Sequence, residues 1–180
     1  MKNLNTKKLA YAALFLALCL VLPMLTGQIP QIGSMLLPMH IPVLLCGLVC
    51  GWQYGAAVGF VAPLLRSVLF GMPPMYPVAI AMAFELLTYG LVIGLVYRRM
   101  AQKGAAGVYA ALLTAMVAGR LVWGVAEVVL LGLGGKVFTA QAFLAGALLN
   151  AVPGIIVQLV LIPAVMAALQ KAGAVKEYAE

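Results

Sequence analysis

The chain has 180 residues, 66% of them hydrophobic and 8% charged, with a mean hydropathy of +1.13. A soluble domain carries roughly 25% charged residues. A soluble fold of this length could not cover itself with so few, so the composition predicts an all-α polytopic membrane protein, one domain over residues 1–180. The formal net charge of +7 gathers at segment ends, which fits membrane orientation better than nucleic-acid binding.

In chain order the hydropathy predicts six membrane helices, with both termini on one side. Lys2, Lys7 and Lys8 precede the first, expected over about residues 8–26. It lacks a convincing small-x-small cleavage site and reads as a retained helix rather than a signal peptide. Residues 27–42 hold Pro30, Gly33, Pro38 and Pro42 and read as a loop or re-entrant segment. A short second helix is expected over about 42–52 and a third over about 55–70, joined by the neutral inner loop Trp52, Gln53, Tyr54. The run 71–77, GMPPMYP, is a strong helix break.

The fourth helix is expected over about 78–97, followed by a basic loop with Arg98, Arg99 and Lys103. The fifth spans about 107–131 and the sixth about 140–169, with the Gly-rich turn GLGGK between them and Lys171 and Lys176 beyond. Positive residues at the termini and in the 4–5 loop place those regions in the cytoplasm; Lys136 is the exception. No alternating strand pattern supports a barrel.

Small residues recur at helix-contact spacing: Gly47, Gly51, Gly55 and Gly59, then Gly90 and Gly94, then Ala13 and Ala17. Such rows let backbones approach in lipid, within the bundle or against another membrane protein. The cysteines, Cys19, Cys46 and Cys50, are odd in number and embedded in apolar runs. They imply packing rather than a disulfide framework or a metal site.

Arg66, Glu85, Arg120 and Glu127 stand inside otherwise lipid-soluble stretches. An ionised group in hydrocarbon costs several kcal/mol, so such residues face a bundle interior or a wet cavity. With odd helices running outward, the rise per residue puts Arg66 roughly 6–10 Å and Glu85 roughly 10–14 Å below the outer surface. Arg120 falls near the midplane, Glu127 near the outer end, and Asn150, on the sixth helix, roughly 12–15 Å down. His40 precedes the second helix and Tyr76 sits in the outer 3–4 turn. Residues from different helices thus map to one half of the membrane.

Arg120, Trp123 and Glu127 share one helix face at i, i+3, i+7. Arg can bind a carboxylate in bidentate fashion, Trp offers a flat ring, and Glu accepts from amine or hydroxyl donors. This set suits a small polar molecule, aromatic or carboxylated. It also suits internal salt bridges of Arg66 or Arg120 with Glu85 or Glu127, and the two uses can coexist. Tyr89, one turn below Glu85, is placed to orient it. Asn150 and Gln158 are equally placed to be interhelical hydrogen bonders. His40 is the only histidine, which argues against a metal site.

GLGGK lacks the spacing and the Ser/Thr of a phosphate-binding loop, and no HExxH or GxSxG occurs. Energy for active transport must then come from an ion gradient or another subunit.

The segment LPMHIPVLLCGLVCGWQYGAAVGFVAPLLRSVLFGMPP, residues 37–74, resembles the substrate-binding S components of energy-coupling factor (ECF) vitamin transporters. The length, the basic N-terminus, the six expected spans and Ala13-x-x-x-Ala17 share that resemblance, which extends over essentially the whole chain. It implies a high-affinity binder of a vitamin or related micronutrient in a prokaryotic plasma membrane, not an enzyme. It implies partners as well: a membrane coupling subunit and two cytoplasmic ATPase subunits. ATP would be used by those partners, with no cofactor bound by this chain. The pocket would face outward under the 1–2, 3–4 and 5–6 loops, the binder would topple to release substrate inside, and Ala13 and Ala17 would form the docking face.

The resemblance leaves the substrate open, because members bind different vitamins with different pocket residues. The candidate contacts are His40, Arg66, Tyr76, Glu85, Tyr89, Arg120, Trp123, Glu127 and Asn150. The arginines favour an anionic or zwitterionic molecule, and the glutamates weaken that preference. A small ion-coupled transporter or channel is the alternative, with Glu85 and Glu127 as ion sites; internal repeats expected of many such folds are not evident.

Overall fold

The computed structural model describes residues 2–25, 35–100, 104–135, 137–146 and 150–173, with side chains in the first helix from residue 6 onward. The elements are α1 (Lys2–Leu25), α2 (His40–Cys50), α3 (Trp52–Phe70), a π turn (Met75–Ala79), α4 (Ile80–Met100), α5 (Ala105–Leu133), α6 (Ala140–Leu144) and α7 (Val152–Lys171). The described residues are all-helical, with no strand. Five stretches are long and apolar enough to cross a membrane, while His40–Cys50 is shorter. The chain is thus a multi-pass membrane protein. The protein's lipid-facing surface carries large apolar side chains, among them Leu9, Leu14, Val117, Leu121 and Val160.

Several expected boundaries move. α1 begins at Lys2 rather than near residue 8, and α2 begins at His40, two residues before Pro42. Trp52, Gln53 and Tyr54 are no loop: they form the first turn of α3, and Gly51 alone joins it to α2. That hinge has φ 99°, a left-handed value that favours glycine. The expected sixth helix is two helices, α6 and α7. Thr139 caps α6, its hydroxyl accepting from the Ala142 N–H at 3.1 Å. Pro153, in the first turn of α7, suits a helix start because its missing N–H is not required there. Thr26 of the expected first helix, residues 27–34 of the expected loop, the basic residue Lys103, and Lys136 and Lys176 lie outside the described residues.

The core is a close stack of α2, α3 and α4 made by the glycine rows. A Cβ added to Gly47 would fall 2.8 Å from Gly90 O, one on Gly55 2.7 Å from Gly47 Cα, and one on Gly94 2.8 Å from Trp52 Cβ. These rows therefore serve packing inside the bundle. Around them lie Val43, Leu44, Leu48, Leu86 and Ile93, all fully buried. α5 packs along α4 and α7 against α2 and α5. The cysteines are buried and free.

α1 uses a single stripe, Ala12, Phe15 and Cys19, to meet this core. Ala13 and Ala17 fall on its other side and are exposed. The small-residue row of α1 thus differs from the glycine rows in being left uncovered by the described residues.

Candidate functional site

The antiparallel pairing of α4 and α5 brings Glu85 and Arg120 together. Arg120 Nη1 lies 3.0 Å from Glu85 Oε1, and His40 Nε2 approaches the same oxygen at 3.4 Å from the first turn of α2. His40 and Glu85 are each 1% exposed. Glu85 Oε1 accepts no aligned hydrogen bond among the described residues. Tyr89, one turn along α4, packs edge-on to the His40 ring with centroids 5.2 Å apart. Gly119 makes room for it, since a Cβ there would fall 2.9 Å from Tyr89 Cε1. Three helices thus converge on one buried carboxylate.

Arg120 retains unused donors. Its Nε and Nη2 are buried and without a partner among the described residues, as are His40 Nδ1 and Gln158 Nε2. A buried donor left unpaired carries its full desolvation cost. The guanidinium carbon lies 5.9 Å from the centre of the Trp123 ring. That ring stacks on Phe143 at 6.1 Å and meets Phe138 edge-on at 5.7 Å. Glycines fit this wall closely: Cβ atoms on Gly146 and Gly124 would fall 2.7 Å from Trp123 and Phe143 carbons. Glu127, two turns beyond Arg120 on the same face, is buried and forms no ion pair among the described residues.

Of the residues expected in one cluster, His40, Glu85, Tyr89, Arg120 and Trp123 touch one another, and Glu127 continues their face. The internal salt bridge resolves to Arg120 with Glu85. Arg66 goes elsewhere: its guanidinium donates to the Leu20 carbonyl of α1 and lies over the Phe70 ring at 5.2 Å. Pro23 also stands inside α1, where it lacks the N–H that would bond the Cys19 carbonyl one turn back. Tyr76 is half-exposed, and its hydroxyl donates to the Leu130 carbonyl, tying the π turn to the end of α5. Asn150 is not on a helix: it is exposed in the turn before α7, and its backbone N–H donates to Ala145 O at 2.9 Å.

Phe138 and Phe143 were not legible as site residues, because they follow a Gly-rich turn with no periodicity to aim them. An apolar groove of about 270 Å³ runs between α5 and the α6 region. Its walls include the exposed Leu121, Val125 and Val128. It shares Phe138 and Phe143 with the Trp123 wall but opens on a different face of α5 from the charged cluster, and Thr139 is the one polar residue in its lining. No group of three or more metal-ligating side chains occurs among the described residues.

The model of one protein family, described as the substrate-specific component of ECF transporters, matches residues 7–167. No curated protein and no solved structure gives a significant match. A multi-pass helical chain with a buried cluster of unpaired donors, matched along most of its length, belongs to the substrate-specific components of ECF transporters, which are membrane substrate-binding subunits and not enzymes.

Proposed function

We propose that this chain captures a vitamin or related micronutrient on the outer side of a prokaryotic plasma membrane, using the His40–Glu85–Arg120–Trp123 cluster. The observation that carries this reading is the pair of buried nitrogens on Arg120, unpartnered among the described residues, beside an aromatic wall. A buried polar group without a partner is costly, and a ligand that supplies the missing acceptors removes the cost.

In this reading six segments cross the bilayer, α2 being a short one, and both termini are cytoplasmic. A membrane coupling subunit and two cytoplasmic ATPase subunits drive uptake. ATP is consumed by those partners, and this chain binds no cofactor of its own. The exposed row of Ala13 and Ala17 on α1 supports a docking face for the coupling subunit. The test is to measure uptake of a bound micronutrient with and without the coupling module. Binding by the lone chain, with accumulation only when the module is present, is expected. Accumulation by the lone chain driven by an ion gradient would assign the alternative, a secondary transporter.

A further inference from the structure

We infer that the substrate is an amphoteric planar molecule: a carboxylate for Arg120, a flat ring for Trp123 and a protonated or N–H nitrogen for Glu127. This rests on the reading of the α4–α5 cluster as the capture site and specifies what it captures.

The guanidinium supplies the first term. Nη1 faces Glu85 at 3.0 Å, while Nε and Nη2 are buried and without partners among the described residues. Those two nitrogens form one edge of the guanidinium, with parallel N–H bonds. A carboxylate matches that edge with both oxygens, whereas a neutral carbonyl satisfies one donor at a time. Glu85 already offsets Arg120, so a monoanion fits better than a phosphate dianion.

Trp123 supplies the second term. Phe143 and Phe138 hold its ring, and Gly146 closes against it. A ring fixed in this way is a flat platform rather than a mobile side chain.

Glu127 supplies the third. It is 7% exposed and has no ion-pair partner among the described residues. Seven residues of helix separate it from Arg120, roughly 10 Å along the axis, with Trp123 between. The Glu127 oxygens are not among the fully enclosed polar atoms, so a ligand donor can reach this mostly buried carboxylate and offset its desolvation. A simple anion would leave Glu127 unpaired, and a simple cation would leave the Arg120 edge unpaired. An amphoteric molecule about as long as this spacing satisfies both.

The test uses the purified full chain in detergent, with affinities from calorimetry and thermal shift. Four matched probes are 4-(aminomethyl)benzoate, 4-methylbenzoate, 4-methylbenzylamine and trans-4-(aminomethyl)cyclohexanecarboxylate. The first should bind at least about tenfold more tightly than each of the others, the scale of one buried hydrogen bond. Glu127→Gln should reduce its affinity to that of 4-methylbenzoate and leave 4-methylbenzoate unchanged. Arg120→Lys, which keeps the charge and removes the paired edge, should weaken both benzoates and spare the benzylamine.

Equal affinity for a single-function probe, no binding by any probe, or an unchanged Glu127→Gln profile would overturn the inference. A vitamin panel run on the same protein separates this failure from failure of the capture-subunit reading. Stabilisation by a panel member with none by the probes leaves a capture subunit whose substrate chemistry is not this one.

Discussion

Arg120 on α5 and Glu85 on α4 form an ion pair at 3.0 Å, and among the described residues it leaves one whole edge of the guanidinium unused. The pair therefore has two roles. It fixes the register of two antiparallel helices, and it holds a cation ready for a second partner. Removing one partner of a buried pair costs about 3–5 kcal/mol, because the other charge is stranded. Glu85→Ala should lower the melting temperature in detergent by about 2–4 °C per kcal/mol. Glu85→Gln should fall between it and the wild type. A wild-type melting temperature for Glu85→Ala would show that the pair does not hold the helices.

Gly90 is among the tightest points of the core. A Cβ there would lie 2.7 Å from the Ala56 backbone nitrogen, which cannot rotate away. Gly90→Ala should cost about 1–3 kcal/mol by overpacking. Gly132, in α5 with nothing within 4 Å, is the control. Gly132→Ala should be neutral or stabilising by about 0.5–1 kcal/mol, since glycine weakens a helix interior. Thermal unfolding of both variants checks the contrast; equal losses would contradict the packing described.

The Tyr76 hydroxyl donates to the Leu130 carbonyl and ties the π turn to the end of α5. Tyr76→Phe removes one hydrogen bond, about 0.5–1.5 kcal/mol. Hydrogen exchange around residues 75–79 should accelerate, with little change in the rest of the bundle. Unchanged exchange would mean the bond does not hold the turn.

Arg66 should separate from the substrate contacts. Its guanidinium serves α1 and Phe70. Arg66→Met should lower stability while leaving ligand affinity in the folded fraction at the wild-type value. Loss of affinity with intact stability would return Arg66 to the substrate contacts.

Helical class, membrane insertion and the face shared by Arg120, Trp123 and Glu127 follow from hydropathy and helical period, and both are local properties of sequence. The convergence of His40 with Glu85 is also foreshadowed, because depth along antiparallel helices is set by the rise per residue. Depth does not specify azimuth. Arg66 has the depth of the cluster, yet its side chain points to α1. The break between α6 and α7 escaped the hydropathy because residues 140–169 carry no charge and are mostly apolar, and Pro153 is as acceptable at a helix start as at a kink. The same ambiguity placed Asn150 on a helix. For the glycine rows the spacing indicated close contact and the fold supplied the partner: Gly47, Gly55 and Gly90 meet one another, whereas Ala13 and Ala17 stay exposed among the described residues.

That difference carries a prediction about assembly. Ala13→Leu with Ala17→Leu adds bulk to an exposed face, so melting temperature and ligand affinity should stay near wild type. Co-purification with the coupling subunit should be lost. Retained co-purification would remove α1 as the docking face.

The most direct test of the account is a thermal-shift screen of micronutrients against the purified chain, repeated with Arg120→Ala. Binding at about 100 times Kd stabilises the folded form by about 2.7 kcal/mol. The account predicts such stabilisation by one chemical class in the wild type, and its loss in an Arg120→Ala protein that still folds. Wild-type affinity in that folded variant, or no stabilisation by any compound, would contradict it.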